Sequence, residues 1–336
     1  MARVGIRDVA LRAGVSISTV SNALNKPDTV SAALVSKVTA AAESLGYVPL
    51  QAARQLRARR SGLLGMTVIN IANPFFAALV SGAEEAAAAA GYRILVGNSD
   101  DDVVKERGHI ELFERVEVEG MLISPYGVSA ASLERLRVRR IPVVLVDAVD
   151  DAGQLSSVSF DDVAGGRLAA DHLLAQGRRS LAFVGAREEV RQVRERLQGT
   201  RDAVAAYPDS RLDVIWSSRT TASVGQTLGA RIAAMPADLR PEGIVTTNDH
   251  LACGLVYGLI SSGVRVPEEI AVVGYDDIEF ASVAAVPLTS VRQPAREMGR
   301  HAGEVLVRAI AAGAEAVRET VVFRPELSVR ESTSGY

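Results

Sequence analysis

The sequence predicts a small all-α head with a helix-turn-helix, followed by a larger α/β body of two subdomains with parallel sheets. The chain has 336 residues, which suits two or three domains at about 100–200 residues each. Apolar residues recur with helical spacing in the first 47 residues, whereas short β-rich runs alternate with helical stretches after Ser61 and Gly62. Because 48% of the residues are hydrophobic and 23% are charged, the chain can bury a sizeable core.

Three helices are predicted in the head. Apolar residues at i, i+3, i+4 and i+7 give the first helix one apolar face, formed by Ile6, Val9, Ala10 and Ala13. Gly14 can take the left-handed conformation that ends a helix, and Ser16 is a suitable N-cap for a second helix over about 17–25. Ser31 is expected to cap a third helix that ends at Gly46.

The charge and polarity of the head indicate that it binds nucleic acid. Residues 1–60 hold nine Lys or Arg and three Asp or Glu, although the whole chain has a formal net charge of −3. A basic head on an acidic body favours a polyanionic partner, and a merely solvated basic terminus is the alternative. Helix, glycine turn and helix is the arrangement that places a second helix in the major groove. A plain three-helix bundle with a polar face is the other interpretation.

The motifs of the head resemble those of the lactose-repressor (galactose-repressor) family of bacterial transcription regulators. The matching segments are Asp8-Val9-Ala10, Gly14-Val15-Ser16, Thr19-Val20-Ser21, Leu24-Asn25, Val30-Ser31 and Leu45-Gly46-Tyr47-Val48-Pro49. The resemblance implies that Ile17, Ser18 and Asn22 read bases. Position 22 is often Arg in that family, so Asn22 makes adenine a candidate in place of guanine. The predicted DNA-binding residues are Arg7, Ser16, Ile17, Ser18, Thr19, Ser21, Asn22, Asn25, Ala53 and Leu56.

Residues 48–60 form the predicted junction between head and body. Their composition suits a helix, but a helix this short is marginal in water, and a basic flexible linker is the alternative. The resemblance implies a hinge helix that orders on DNA and enters the minor groove, with Leu56 as the wedge. Ala53 and Arg54 also match the family, whereas Leu50 stands where the family usually has Asn.

The body, residues 61–336, is predicted to hold about ten strands, which is more than one small parallel sheet would use. The candidate strands are 63–69, 93–97, 120–123, 143–146, 157–160, 181–184, 213–216, 243–246, 270–274 and 320–323. Family motifs continue here, from Asn73-Pro74-Phe75-Phe76 to Pro287-Leu288-Thr289-Ser290-Val291. The resemblance implies a body similar to periplasmic sugar-binding proteins, with an N-subdomain of about 61–160 and 291–319. Its C-subdomain covers about 161–290 and 320–336.

A ligand site is expected in the cleft between the subdomains, since parallel sheets bind ligands at the carboxyl ends of their strands. The resemblance implies the ligand-binding residues Asn73, Phe75, Asp147, Arg196, Asn248, Asp276 and Gln293. Carboxylates and a guanidinium can pair with vicinal hydroxyls, which favours a sugar or sugar derivative. The alternatives are a surface ion pair for Arg196 and a loop cap for Asp276. Thr220 stands where relatives often carry an aromatic residue, and Trp216 lies four residues earlier, so a stacking platform is not assured.

Enzymatic signatures are weak, and no catalytic residue, metal site or cofactor is expected. The sequence has no nucleotide-type glycine loop after the first strand and no Gly-x-Ser-x-Gly. Its four histidines, at positions 109, 172, 250 and 301, lack metal-ligand spacing. Asp100-Asp101-Asp102 resembles a metal cluster only loosely, and a solvated loop is the favoured interpretation there and at Asp161-Asp162.

The expected protein is a cytoplasmic, nucleoid-associated homodimer without membrane contact. Cys253 is the single cysteine, no apolar run approaches the roughly 20 residues of a membrane span, and no signal peptide is visible. No heptad tail follows Arg330, so a two-fold dimer on a pseudo-palindromic operator is predicted, with a small-molecule effector. The alternatives are a solute-binding protein, a sugar-modifying enzyme, an activator of the same fold, a global regulator insensitive to small ligands, or a regulator that responds to a nucleobase or other non-sugar metabolite.

Overall fold

The computed structural model describes residues 4–47, 61–150 and 152–334. The chain divides into two compact units, Met1–Ser61 and Gly62–Tyr336. The first unit is helical and the second carries two six-stranded sheets. No helix within these described ranges is long and apolar enough to cross a membrane.

The head contains the three predicted helices. They are α1 (Ile6–Ala13), α2 (Ile17–Asn25) and α3 (Ala32–Ser44), with a 3-10 turn at Pro27–Thr29 between the last two. Their apolar faces meet in a small core around Val9, Val20 and Val38, which are fully buried. The predicted pattern of helix, turn and helix is therefore confirmed.

The predicted helix ends agree with the structure at two positions and differ at a third. Gly14 has φ 62°, the left-handed conformation expected of it. The Ser16 hydroxyl accepts from the Thr19 N–H at 3.1 Å, as an N-cap should. Ser31 occupies the N-cap position of α3, as predicted, but its side chain does not make the expected capping bond. The Ser31 carbonyl already accepts the N–H groups of Leu34 and Val35, and the exposed hydroxyl is left to water.

Twelve strands and nine α-helices alternate through the described body. The strands are β1 (Leu63–Val68), β2 (Arg93–Asn98), β3 (Gly120–Ile123), β4 (Val143–Val146), β5 (Ser156–Phe160), β6 (Ser180–Gly185), β7 (Arg211–Trp216), β8 (Gly243–Thr246), β9 (Ala271–Asp276), β10 (Thr289–Arg292), β11 (Thr320–Phe323) and β12 (Glu326–Ser328). The helices are α4 (Pro74–Ala89), α5 (Val103–Arg115), α6 (Ala130–Val138), α7 (Asp162–Ala175), α8 (Arg191–Ala206), α9 (Ala222–Ala233), α10 (Asp249–Ser261), α11 (Glu279–Ser282) and α12 (Ala295–Ala312). The predicted α/β body with two mostly parallel sheets is confirmed.

Each sheet defines one subdomain. The first sheet has the order β11-β5-β4-β3-β1-β2, and all its pairs are parallel. The second has the order β12-β10-β9-β8-β6-β7, and only the β10–β12 pair is antiparallel. The chain therefore crosses between the sheets three times, after β5, after β10 and after β11.

The last crossing corrects the expected subdomain boundary. Residues 320–336 were all expected in the C-subdomain, but β11 pairs with β5 of the first sheet, where Thr320 faces Ser157. The preceding helix α12 packs on β3, β4 and β5, so the chain is still beside the first sheet when β11 begins. Only β12 returns to the second sheet.

Candidate functional site

The head exposes one side of α2, the helix predicted to read DNA. Ile17, Ser18 and Asn22 are exposed, and Ile17 leaves 45% of its surface open to solvent although it is apolar. The Ser16 hydroxyl lies 2.8 Å from the hydroxyls of both Ser18 and Thr19, which orients the start of the helix. An exposed apolar side chain among short polar ones suits contact with a base edge and a thymine methyl.

The other predicted DNA-binding residues are placed less fully. Arg7 is exposed on α1, and Ser21 is half-buried on α2. The side chain of Asn25 and the whole of Ala53 and Leu56 lie outside the described residues, as do Leu50 and Arg54. Their assignment to DNA stays a prediction.

A cavity of about 110 Å³ lies in the body. Residues of both subdomains line it. They include six of the seven residues predicted to bind ligand: Asn73, Phe75, Asp147, Arg196, Asn248 and Asp276. The seventh, Gln293, lies beside the cavity and donates from Nε2 to Asp276 Oδ1 at 2.8 Å. The structure thus brings the seven residues together, and their contact with a ligand stays a prediction.

Two of these residues serve as helix caps and also face the cavity. Asn73 accepts the Phe75 N–H at 3.1 Å through Oδ1, which starts α4, and donates from Nδ2 to Asp276 Oδ2 at 3.0 Å. Asn248 accepts the Leu251 N–H at 2.9 Å and starts α10. Because the capping bond uses only the carbonyl oxygen, each amide keeps an NH2 group for a second partner.

Arg196 lies at the centre of the buried charges. Its Nε donates to Asp162 Oδ1 at 2.8 Å, and its Nη1 donates to the Thr247 carbonyl at 2.5 Å. The guanidinium carbon is 3.7 Å from the centroid of the Tyr275 ring, and Nη1 is 3.9 Å from Asp276 Oδ1. Only 6% of the residue is exposed, so the surface ion pair considered as an alternative is wrong.

Close helix packing places this arginine. An ideal Cβ at Gly166 of α7 would lie 2.0 Å from the Arg196 carbonyl oxygen, and one at Gly199 of α8 would lie 1.9 Å from the Val163 carbonyl oxygen. Glycine at these two positions lets the helices touch along their backbones. The side chain of Arg196 can then reach Asp162 at the first residue of α7.

Asp147 is buried without full hydrogen bonding. Gln192 Nε2 donates to its carbonyl oxygen at 2.6 Å and to Oδ2 at 3.0 Å, while Oδ1 has no partner among the described residues. Burial, reinforced by the charge of Asp162, raises the pKa of Asp147 to about 8, although Arg196 opposes the shift. This rise favours the protonated carboxyl, which can donate a hydrogen bond.

Asp276 differs from Asp147 in its partners. Burial raises the pKa of Asp276 to about 6, and the charge of Arg196 and the amides of Asn73 and Gln293 limit the rise. Asp276 and Asp147 have φ 108° and 57°, conformations that side chains other than glycine rarely adopt. Such strain at two acids beside one cavity is typical of a functional site.

The aromatic lining comes from Phe75, which the sequence analysis assigned, and from Phe76 and Tyr126, which it did not assign. Phe75 is buried with its ring edge-on to Phe76, centroid to centroid 5.0 Å, and Tyr126 lines the cavity as well. Trp216 is not among the lining residues, and the backbone carbonyl of Thr220 lies 3.5 Å from Asn248 Nδ2. Tyr126 follows β3 with one short segment between, so its position after a strand end was the available signal.

Further lining residues were missed because they come from loops or from the first turn of α8, where no marked motif occurs. They are Ile69, Asp101, Ala186, Arg187, Val190, Gln192, Val193, Ser218, Arg219 and Thr247. The Asp161-Asp162 cluster was misinterpreted as a solvated loop, whereas Asp100-Asp101-Asp102 does lie in a partly exposed loop. Asp162 is 3% exposed and ion-paired with Arg196, Asp102 caps α5, and Asp100 and Asp101 contact Arg219. In the part of the chain that the structure describes, no group of three or more His, Cys, Asp and Glu is placed to hold a metal ion.

Comparison with known proteins finds a matching protein family for each of the two units. Residues 5–50 match the family described as bacterial regulatory proteins, lacI family, and residues 170–333 match a periplasmic binding protein-like domain. The HTH-type transcriptional repressor PurR of Photobacterium profundum is 31% identical over 97% of this chain and 98% of its own. The ribose operon repressor of Escherichia coli is 33% identical over 91% of this chain and 92% of its own. The lac repressor dimer bound to operator and the anti-inducer ONPF superposes with a TM-score of 0.81 at 26% identity, over 99% of both chains.

Proposed function

The chain belongs to the lacI family of bacterial regulatory proteins, and we propose that it represses transcription as a homodimer whose operator affinity is set by a sugar or sugar derivative. The relatives are DNA-binding repressors, so the chain is a repressor and not an enzyme. The proposal places it in the cytoplasm, on the chromosome. The observation that carries the effector part is the buried polar cavity around Asp147, Arg196 and Asp276.

The head supplies operator recognition in this proposal. Ile17, Ser18 and Asn22 project from α2 to base edges in the major groove, and Asn22 forms the bidentate bond to adenine. Arg7 and the N-terminal hydroxyls of α2 contact phosphates, which fixes the register. Two heads related by a two-fold axis then read two half-sites, as expected for a pseudo-palindrome. The lac repressor dimer on its operator, which this chain resembles, supports that assembly.

The segment 48–60 completes DNA binding in the proposal. Leu56 of each protomer enters the minor groove at the centre of the operator and partly unstacks one base step. The bent operator contacts more protein surface, and the cost of unstacking depends on the sequence of the central step. Ala53 lies on the same hinge segment and contacts the groove wall.

The effector binds between the two sheets. A sugar ring offers hydroxyls that both donate and accept, and the cavity offers both kinds of partner. Arg196 and the amides of Asn73 and Asn248 donate, Asp276 accepts, and the carboxyl of Asp147 donates when protonated. Phe75 covers an apolar face of the ring. The name of the ribose operon repressor supports a sugar as the effector of this related chain.

Selection from random DNA tests the proposal. The purified full chain is mixed with a randomised duplex pool at low and moderate salt, and the bound fraction is sequenced. The selection is repeated with D-ribose, other sugars and nucleobases. We expect a palindrome with a deformable central step and a change in enrichment when the pool contains the effector. No enrichment over random DNA under any of these conditions would contradict operator recognition.

A further inference from the structure

Two arginines of the second subdomain reach across the entrance of the cavity. Arg219 Nη2 lies 2.6 Å from Asp100 Oδ1 and 3.4 Å from Asp101 Oδ2. Arg187 Nη1 donates to the Tyr126 hydroxyl at 3.0 Å, and its guanidinium carbon is 5.6 Å from the centroid of that ring. Both acids and Tyr126 belong to the first subdomain, so these contacts join the two subdomains over the cavity.

The loop that carries Asp100 and Asp101 is held in place by contacts that do not involve Arg219. Asp100 and Asp101 have φ 51° and 60°, two successive left-handed residues that the surrounding structure must stabilise. The Ser99 hydroxyl donates to the Val68 carbonyl at 3.1 Å, and the Asp101 N–H donates to the Ile69 carbonyl at 3.3 Å. The loop therefore presents both carboxylates in a fixed orientation.

Tyr126 is held in place by the buried Glu106 of α5. The loop that carries Asp100 and Asp101 leads into the same helix. The Glu106 carboxylate on α5 accepts the N–H of Tyr126 at 2.8 Å and that of Gly127 at 3.0 Å, and the residue is 1% exposed. Asp102 caps α5 by accepting the N–H of Val104 at 2.7 Å. Helix α5 thus anchors both groups that the arginines contact.

Asp100 and Arg187 each have a second charged partner within their own subdomain, so the contacts across the entrance can break and form again. Lys105 Nζ lies 3.1 Å from Asp100 Oδ2, and Arg187 Nε lies 3.7 Å from Glu189 Oε2. When the cleft opens, Asp100 and Arg187 keep these partners, so no buried charge is left unpaired. The side chains of Arg219 and Asp100 are 46% and 37% exposed, so water and salt weaken their attraction.

We propose that five side chains form a rim latch across the entrance. Arg219 pairs with Asp100 and Asp101, and Arg187 pairs with Tyr126. The rim latch favours the closed cleft and thereby slows release of a molecule held in the cavity. Its strength falls as ionic strength rises, unlike the buried contacts of Asn73 and Gln192 deeper in the cleft. The role in effector release rests on the proposed function, whereas the effect on cleft opening does not.

Cleft opening can be measured on the full chain without DNA or effector. Spin labels are placed at two exposed positions, Arg107→Cys on α5 and Gln226→Cys on α9, in a Cys253→Ser background. Labelled chain is mixed with excess unlabelled chain so that each dimer carries one labelled protomer. Distance distributions from pulsed electron resonance then report the ratio of closed to open clefts.

The variants are R219Q, the pair D100N/D101N and all three substitutions together. Asn tolerates the left-handed backbone at positions 100 and 101, so the loop conformation is kept. Either change lowers the closed-to-open ratio about two- to fivefold at low salt, the range of an exposed ion pair. The triple variant shows no larger loss than either change alone, and about 1 M salt moves the unsubstituted chain in the same direction.

The matched control is R265Q, which removes an exposed ion pair of 2.9 Å with Glu269 inside the second subdomain. The control leaves the ratio unchanged. Unchanged distributions in R219Q and D100N/D101N, additive losses in the triple variant, or the same shift in R265Q would each overturn the rim latch. Because the measurement needs neither DNA nor effector, failure of the rim latch is distinguishable from failure of operator recognition.

Discussion

The carboxyl group of Asp147 lies beside the cavity, and one of its oxygens has no hydrogen-bond partner among the described residues. Burial raises its pKa from the ordinary 3.8 to about 8, so the folded chain binds this proton more tightly than the unfolded chain. An acid whose pKa is raised by folding lowers the free energy of unfolding as pH rises from about 4 toward 8. The whole of this loss is reached above the pKa of the folded chain. A ligand hydroxyl that accepts from the protonated carboxyl offsets part of that cost.

Replacing Asp147 with Asn removes this titration while keeping an amide that can donate. We expect D147N to raise the free energy of unfolding more at pH 8 than at pH 5.5, by at most about 1.4 kcal/mol per pH unit. Urea unfolding at several pH values checks it. The control is D209N, at an exposed aspartate that also has a positive φ, 63°. An equal effect of D147N at both pH values would show that Asp147 is ionised throughout.

Asn22 carries the second prediction at the residue scale. The N22R substitution should move the preferred base at one symmetric operator position from adenine to guanine, since each side chain makes a bidentate bond to that purine. Discrimination of about 1–3 kcal/mol per base corresponds to roughly fivefold to 150-fold. Selection from random DNA with both chains measures the shift. The exposed Arg12→Ala on α1 is the control, because loss of a basic side chain should lower binding to all sequences alike.

The sequence predicted these residues unequally. Arg196 and Asp276 were identified through the family resemblance, and the spacing of residues gave no sign that they meet. Their partners Asp162 and Tyr275 were not assigned, because they come together only through the fold: the Tyr275 hydroxyl donates to Asp162 Oδ1 at 3.1 Å across 113 positions of the chain. Contacts of that kind leave no local pattern in a sequence.

At the scale of elements, local pattern predicted the strands with apolar runs. It missed β10 and β12. Strand β10 begins with Thr289 and Ser290, whose polar side chains did not suggest a buried strand. Both are fully buried, and Ser332 and Asp249 accept hydrogen bonds from the Thr289 N–H and the Ser290 hydroxyl. Strand β12 has three residues, too few for any periodicity to show. The sheet to which β11 belongs depends on where α12 packs, and the strand's own residues do not encode that.

The contact between α7 and α8 allows a test of an element's packing. Gly199→Ala places a Cβ 1.9 Å from the Val163 carbonyl oxygen, so the helices must separate. We expect a loss of about 1–3 kcal/mol in stability and weaker effector binding, because Arg196 and Asp162 sit on these two helices. Thermal unfolding measures the first effect. Gly108→Ala on α5 is the matched control, since nothing lies within 4 Å of its Cβ, and it should stabilise by about 0.5–1 kcal/mol. Equal destabilisation by both substitutions would contradict the packing argument.

At the scale of the whole molecule, the three crossings between the sheets determine what an effector can change. Residues next to the cavity lie at two of them, Asp162 just after β5 and Gln293 just after β10. Both are hydrogen-bonded to cavity residues, Asp162 to Arg196 and Gln293 to Asp276. A ligand that binds and moves Arg196 and Asp276 therefore acts directly on the crossings after β5 and β10, about which the subdomains turn. Allosteric control requires only that the two orientations differ in affinity for the ligand.

This arrangement predicts that operator binding and effector binding can be lost separately. L56A removes the proposed minor-groove wedge, so specific operator affinity should fall at least about tenfold while nonspecific binding changes little. D147A removes the group that donates to the effector, so it should leave operator affinity without effector within about twofold and weaken effector binding at least about tenfold. Anisotropy with the selected operator measures the first affinity, and calorimetry with the sugar that alters the selection measures the second.

The two substitutions serve as controls for each other, because each should leave the other function intact. Since linkage is reciprocal, the factor by which effector changes operator affinity equals the factor by which operator changes effector affinity. L56A should therefore bind effector in the absence of DNA as tightly as the unsubstituted chain. If L56A weakened effector binding without DNA, or if D147A weakened operator binding tenfold without effector, the two sites would not be independent. The effector would then act through stability of the whole chain, and not by reorienting the subdomains.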